Sequence, residues 1–249
     1  MIKGLFTAAS GMTAKQRQLD VVSNNLANVN NTGFKKDGNI QKSFKEVLLN
    51  RIEGSKNPVP LGEVGGGVMT EETFTNFTQG GVRQTGNQLD IAIEGSGFFV
   101  VDTPQGLRYT RDGNFTLNED GQIVTQQGYP VMGERGPLQT IAGQSINIDG
   151  DGQLYLGDIR GDQIRVANFE NNQALEKTGD NLYMTEADPQ EADGDYQLRQ
   201  GYLENSNVNI VEEMANMIQV TRHYEANQKV ITSIDSTLNK AVNEVARLG

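Results

Sequence analysis

Ile231-Thr232-Ser233-Ile234-Asp235-Ser236-Thr237-Leu238-Asn239-Lys240-Ala241-Val242-Asn243-Glu244-Val245 places apolar side chains at 231, 234, 238, 241 and 245, in alternating steps of three and four. That spacing is close to a 3.5-residue period, the mark of a helical seam that wants a partner helix. The seam extends upstream through Ile210, Met214, Met217 and Tyr224 and downstream to Leu248. The other end of the chain repeats it. Leu5, Ala8, Met12, Leu19, Val22 and Leu26 follow the same spacing, interrupted only where Lys15 takes a seam position. Between the two ends, from about residue 31 to 206, the chain is Gly-rich, acidic and full of short alternating runs. The fold class expected is α+β, with N- and C-terminal helices forming a coiled-coil-like pair around a central all-β domain.

Turn signals divide the chain further. Residues 1–30 read as the N-terminal helix, 31–83 as an extended arm or linker, 84–203 as the central β domain and 204–249 as the C-terminal helix. Val29-Asn30-Asn31-Thr32-Gly33 strings together residues that end helices and accept left-handed backbone conformations. A short helix is expected over Lys42 to Arg51. Pro58, Pro60 and Gly65-Gly66-Gly67 mark Glu53 to Gly67 as an extended arm. From Gln84 onward the period is two: Leu89, Ile91 and Ile93 alternate, Phe98 to Val101 is a buried run, and Thr103-Pro104-Gln105-Gly106 turns the chain back. Asp120-Gly121 and Asp151-Gly152 mark further hairpins. Later strands are expected at Ile164–Val166 and Leu182–Met184. Asn209, with Glu212 three positions on, is placed to cap the last helix.

Composition sets bounds. With 249 residues, 36% hydrophobic content, 29 Gly and no Trp, the core is smaller than the length permits, so some segments are expected to finish their burial on other molecules. No apolar run approaches the roughly 18 to 20 residues that span a bilayer, and Met1-Ile2-Lys3-Gly4-Leu5-Phe6 lacks a secretory signal's hydrophobic stretch. A cytoplasmic protein, or one exported without a cleaved signal, is expected. The net charge of −11 is unevenly spread: residues 1–30 carry +2 and 207–249 carry −1, which leaves −12 on the middle. An acidic surface repels nucleic acid and anionic lipid, so neither is expected as a partner.

Specific chemistry finds little support. Zero Cys removes disulfides, thiolate metal sites and Cys nucleophiles. Asp149-Gly150-Asp151-Gly152-Gln153 begins like a calcium loop, but Leu154 stands where the sharp-turn Gly is needed and Arg160 where the loop needs a bidentate Glu. Gly65-Gly66-Gly67 has no following Lys-Ser/Thr, and Gly95-Ser96-Gly97 lacks the third Gly of a dinucleotide fingerprint. The only His, His223, lies in the C-terminal helical pattern. Carboxylate pairs remain open as an acid and base, with none singled out. No catalytic residue, metal or cofactor is expected. Ser23-Asn24-Asn25-Leu26-Ala27-Asn28 leaves two readings open: a frayed helix end, or a fixed turn hydrogen-bonded to a neighbouring segment.

Three motifs carry a family resemblance. Ala8-Ala9-Ser10-Gly11-Met12, Leu19 through Asn28 and Thr32-Gly33-Phe34-Lys35 resemble the N-terminal signature of the bacterial flagellar rod and hook proteins. Thr85 through Gly95 with Gly97-Phe98-Phe99 and Tyr109-Thr110-Arg111-Asp112-Gly113 resembles the family's central motif. Gln200-Gly201-Tyr202-Leu203-Glu204 through Asn209, with Met217-Ile218, Arg222 and Tyr224-Glu225-Ala226-Asn227, resembles its C-terminal one. The chain has no room for hook protein's extra domain and is most similar to the basal-body rod proteins. Ser206-Asn207-Val208-Asn209 with Glu212-Glu213-Met214 resembles the distal type; Gly128 through Glu134 with Gly136-Pro137 is also similar to the proximal paralogue.

The resemblance implies a structural protein of the bacterial flagellar basal body, outside the cytoplasmic membrane, exported without a cleaved signal. It implies a homo-oligomer, a hollow helical tube that carries torque from motor to hook and serves as export channel. Its partners would be other rod proteins, hook protein and the export apparatus, with no membrane insertion. The assembly interface would comprise Leu5, Met12, Leu19, Val22, Asn24, Asn25, Leu26 and Asn28 at one end, and Met214, Met217, Tyr224, Ile231, Ile234, Leu238 and Val245 at the other. The contrasting readings are an enzyme with a carboxylate site and a monomeric extracellular binding module built on the β domain.

Overall fold

Asn209 begins the longest element of the protein: its side-chain Oδ1 accepts from the backbone N–H of Val211 at 3.0 Å and Glu212 at 3.4 Å, satisfying donors a helix start leaves free. The helix that follows, α2, runs Ile210–Ala246, with Glu212 and Glu213 in its first turn, where carboxylates suit the helix dipole. At the other end α1 spans Ile2–Ala27. The computed structural model describes residues 2–44, 47–51, 59–141, 143–185, 187, 189–191 and 196–246. Helices at both ends and a β-rich middle make this an α+β chain. It divides into two compact units: residues 1–26, 37–74 and 209–249 form a helical unit, and residues 27–36 and 75–208 form a β unit.

In the helical unit α1 and α2 are accompanied by four strands. β1 (Asp37–Ser43) is hydrogen-bonded to β4 (Val68–Thr75), and β2 (Val47–Arg51) pairs antiparallel with β3 (Val59–Val64). The helix expected over Lys42 to Arg51 is therefore replaced by the end of β1 and by β2. Apolar residues in a short run fit either period, and strand partners downstream decide for β, because paired backbone groups outweigh weak helix propensity. The arm expected over Glu53 to Gly67 lies partly outside the described residues. Its later half is β3, with Pro60 opposite Asn50 at a shift in register, the kind of place a strand tolerates a residue without an N–H.

The β unit centres on a six-stranded antiparallel sheet. Its spatial order is Glu176–Gly179, Leu182–Met184, Gly106–Thr110, Phe98–Thr103, Val166–Asn168, Gln190–Glu191. The run Phe98–Val101 is continuous rather than alternating because both faces of its strand are covered. Phe99 and Val101 enter one core with Phe115, Ile123, Leu154 and Ile164. Phe98 and Val100 enter another with Tyr109, Phe169 and Tyr183. The aromatic contacts are mutual: Phe99 meets Phe115 edge-on at 5.1 Å and Tyr109 meets Phe169 at 4.8 Å. The expected turns lie where their sequences put them. Thr103 pairs with Gly106, and the hairpins at Gly121 and Gly152 join Leu117 to Ile123 and Ile148 to Leu154.

Candidate assembly interface

The least exposed positions of α2 are Glu213, Asn216, Met217, Val220, Tyr224, Asn227, Ile231, Ile234 and Leu238, which apart from Asn216 form a run of alternating four- and three-residue steps. They make a single stripe along the helix. It touches α1 in three places. A methyl group on Gly4 would lie 3.5 Å from Ile234 Cδ1, one on Gly11 would lie 3.0 Å from Asn227 Nδ2, and Asn25 Nδ2 donates to Glu213 Oε2 at 3.4 Å. Numbers rise on one helix as they fall on the other, in multiples of seven, so the helices run antiparallel where they touch. Small residues on α1 let the backbones approach, and the polar layer fixes which residues meet.

Asn25 is the most heavily used side chain of that layer. Its amide donates to Asp37 O at 2.8 Å and its Oδ1 accepts from Asp37 N at 2.9 Å, while the side chain is 1% exposed. The Asn-rich end of α1 is thus a fixed turn bonded to a neighbouring segment. Nearby, Lys15 donates to Gln18 at 2.8 Å and to Gln41 at 3.3 Å, so the interruption of the α1 seam is an anchor onto β1.

The residues expected in the interface divide three ways. Val22 and Asn25 are buried; Met12, Leu19, Leu26, Asn28, Met217, Tyr224, Ile231, Ile234 and Leu238 are half-buried; Leu5, Asn24 and Met214 are exposed. The side chain of Val245, and Leu248, lie outside the described residues. Ile210 and Ala241, which the sequence pattern put on the seam, are exposed too. What pattern reading missed is the polar content of the true stripe. Glu213, 1% exposed, and Asn227 lie in the heptad of Val220 and Ile234, a phase visible only to a reader who lets polar residues occupy seam positions.

The helix is apolar on its far side as well. Val211 is 76% exposed, Met214 52% and Ile218 54%.

In the β unit a buried ion cluster fastens the segment that follows α1. Glu204, 1% exposed, accepts from Lys35 Nζ at 2.5 Å and from Arg111 Nη1 at 3.3 Å, and its Oε1 also accepts from Gly80 N at 2.8 Å. Arg111 donates onward to Gly95 O at 2.7 Å, and Lys35 to Thr78 O at 3.0 Å. Burial pushes the Lys35 ammonium and the Arg111 guanidinium below their ordinary pKa values, and the Glu204 charge opposes this in both. Gly33 belongs to the same segment. Its φ of +65° and the Arg111 carbonyl carbon 2.4 Å from where a Cβ would stand restrict the position to glycine. A polar cleft of about 500 Å3 in this unit is lined by amide side chains including Asn30, Asn31, Gln126 and Asn181. Asp112 lies on its wall, where burial raises its pKa against the hydrogen bond it accepts from Thr32 at 2.5 Å.

Among the described residues no cluster of His, Cys, Asp or Glu is placed to hold a metal ion, and no helix is long and apolar enough to cross a membrane. The arrangement supplies surfaces for packing in the helical unit and, within the β unit, an ion cluster that holds residues 33–35 in place.

Comparison with known proteins follows the same segments. The family described as flagella basal body rod protein matches residues 5–35, the flagellar hook protein FlgE/F/G D1 domain matches 92–156, and the flagellar basal body rod FlgEFG protein C-terminal region matches 199–244. The flagellar basal-body rod protein FlgG of Bacillus subtilis is 36% identical over 264 residues, covering 98% of this chain and 99% of its own. The flagellar basal-body rod protein FlgF of Caulobacter vibrioides is 37% identical over 253 residues, covering 100% and 99%. The flagellar hook-basal body complex protein FlhO of Bacillus subtilis is 35% identical over 273 residues, covering all of both.

Proposed function

The chain belongs to the family of flagellar basal-body rod proteins and is a structural component of the flagellar basal body; from that premise we propose that it works by polymerising with copies of itself into a hollow helical tube. In this reading the terminal helices pair in coiled-coil fashion and line the inner wall, with the β unit outside. The tube carries torque from motor to hook and is the channel for export, joined end to end with other rod proteins and hook protein. Ser206-Asn207-Val208-Asn209 and Glu212-Glu213-Met214 favour the distal part of the rod. The mechanism is mechanical and needs no catalytic group.

One observation carries the reading: α2 has large apolar side chains on its far side, Val211, Met214 and Ile218, in addition to the stripe that meets α1. A helix apolar on two faces has a second partner to find. Each Val, Ile or Met side chain fully buried there contributes roughly 1.5 to 3 kcal/mol, and a few of them repeated along a polymer offset the cost of ordering subunits.

Electron microscopy and sedimentation of the concentrated protein test this directly. Filaments or tubes above a critical concentration are expected. A monomer that persists at every concentration and binds saccharide in its polar cleft would replace this reading with that of a binding module.

A further inference from the structure

The chain passes between its two units four times, at residues 26–27, 36–37, 74–75 and 208–209. With no Cys in the sequence, those crossings are all that joins the units covalently. On the β-unit side, three of them are gathered by one side chain. Asn207 Oδ1 accepts from the backbone N–H of Lys36 at 2.7 Å, while its Nδ2 donates to Asn76 O at 2.8 Å and to Thr78 O and Oγ1 at 3.0 and 3.1 Å. Backbone bonds close the same junction: Asn207 N donates to Phe34 O at 3.4 Å and Asn76 N to Lys36 O at 2.8 Å. Lys36, Asn76 and Asn207 each stand within two positions of a crossing, so a single carboxamide ties three exits of the chain together.

Within the helical unit Asn25 grips the same chain segment one residue further on. It donates to Asp37 O at 2.8 Å and accepts from Asp37 N at 2.9 Å. Lys36 and Asp37 are consecutive, so the residues on either side of the 36–37 crossing are each held through the backbone by an Asn of their own unit. An amide both donates and accepts without carrying charge, which lets one side chain bond backbone N–H and C=O groups together. We propose that Asn207, with Asn25 as its counterpart, is a clasp that carries mechanical load from the crossings into the body of each unit. Its use for torque rests on the polymer reading above. Tension can leave one unit for the other along the crossings, and at Asn207 three segments share it through one amide. Without that amide each segment is free to slide by itself.

Single-molecule pulling on the full-length chain tests this. Because the sequence has no Cys, handles can be attached solely at Glu119→Cys in the β unit and Val211→Cys at the start of α2, both exposed, and the covalent route between them runs through Asn207. In that background and at a fixed force, Asn207→Ala is expected to speed the first lengthening step at least about tenfold, the size implied by losing several hydrogen bonds to one amide. Asn205→Ala, two residues away and outside the clasp, is expected to leave the rate unchanged. Asn207→Asp sets a carboxylate against the Asn76 and Thr78 carbonyls. It should open faster still at neutral pH and recover toward the parent rate as pH falls below about 4, where the protonated carboxyl regains a donor. A side chain that only filled space would show no such recovery. If Asn207→Ala lengthens at the parent rate, if Asn205→Ala matches its effect, or if Asn207→Asp is indifferent to acid, the clasp is overturned and the polymer reading stands. A wild-type chain that never forms tubes overturns the polymer reading, and pulling on single chains still decides the clasp.

Discussion

The two units of this protein dispose of their apolar side chains in opposite ways. Among the described residues the helical unit buries only Ala8, Ala14, Val22 and Val220 of its hydrophobics, while Phe6, Phe44, Phe74, Val211 and Ile218 stay exposed. The β unit buries Phe98, Phe99, Val101, Ile123, Leu138, Leu154 and Ile164 almost completely. The difference teaches where each unit gets its stability. The β unit has a closed core and an internal ion cluster. The helical unit has a stripe, a polar layer and a second apolar face that stays exposed in the single chain, the face that another copy would cover under the proposed polymer.

Truncating the β core breaks that contrast most severely. Phe99→Ala removes a fully buried ring set edge-on against Phe115 and is expected to cost about 3 to 5 kcal/mol. The matched change on the far face of α2, Ile218→Ala, is expected to stay within about 0.5 kcal/mol in the monomer. Chemical denaturation of dilute protein measures both, and comparable losses would erase the distinction between the units.

The ion cluster comes next. Glu204→Gln keeps the shape but leaves Lys35 and Arg111 buried as unpaired like charges, at about 3 kcal/mol or more. The loss should shrink as pH is raised. Without Glu204, the one charge opposing desolvation at Lys35 is gone, so its folded-state pKa falls further below the unfolded value. The folded variant then binds fewer protons than the unfolded chain, and its stability increases with pH through the window between the two values. A denaturation series from neutral to alkaline pH, read against the wild type, checks the slope.

Asp112→Asn gives a smaller effect of definite sign. Burial raises the Asp112 pKa, so its contribution to stability is present below the ordinary carboxylate range and is lost as pH rises through the elevated folded value. The Asn variant, which still accepts from Thr32, is expected to lack that acid-side gain and to be slightly more stable at neutral pH. Melting temperatures across the acid range decide it.

The smallest effect on the β unit is the sharpest statement about the helical one. Leu26→Asp, Met217→Asp or Leu238→Asp puts a charge into the half-buried seam at a cost of several kcal/mol unless it finds a partner. Assembly should fail while the melting temperature of the β unit stays unchanged. A joint loss would show that the helices belong to the β core.

Much of this was open to a reader of the sequence. Helix periodicity is local, so both terminal helices, the Asn209 cap and the turn glycines were legible, as was the continuous Phe98–Val101 run, whose meaning as a strand buried on both faces depends only on its lack of alternation. The phase of the α2 stripe was not. Ile210 and Met214 drew the seam toward the far face because apolar residues were counted and polar ones discounted, whereas Glu213 and Asn227 sit inward, where Asn25 and Gly11 of α1 receive them.

By itself the sequence determined the elements whose cause is short-range: two long helices, a β-rich middle rich in turns, and a family resemblance spread over three motifs. Tertiary structure alone decided the rest, because its causes lie far along the chain. Lys35, Arg111 and Glu204 stand in three separate motifs, and only the fold brings them together, Lys35 and Glu204 across 169 residues, so that one carboxylate neutralises part of two buried cations. The segment from Asp37 to Arg51 became two strands because Val59–Val64 and Val68–Thr75 returned to pair with them. Its hydrogen bonds depend on partners that no local period can announce.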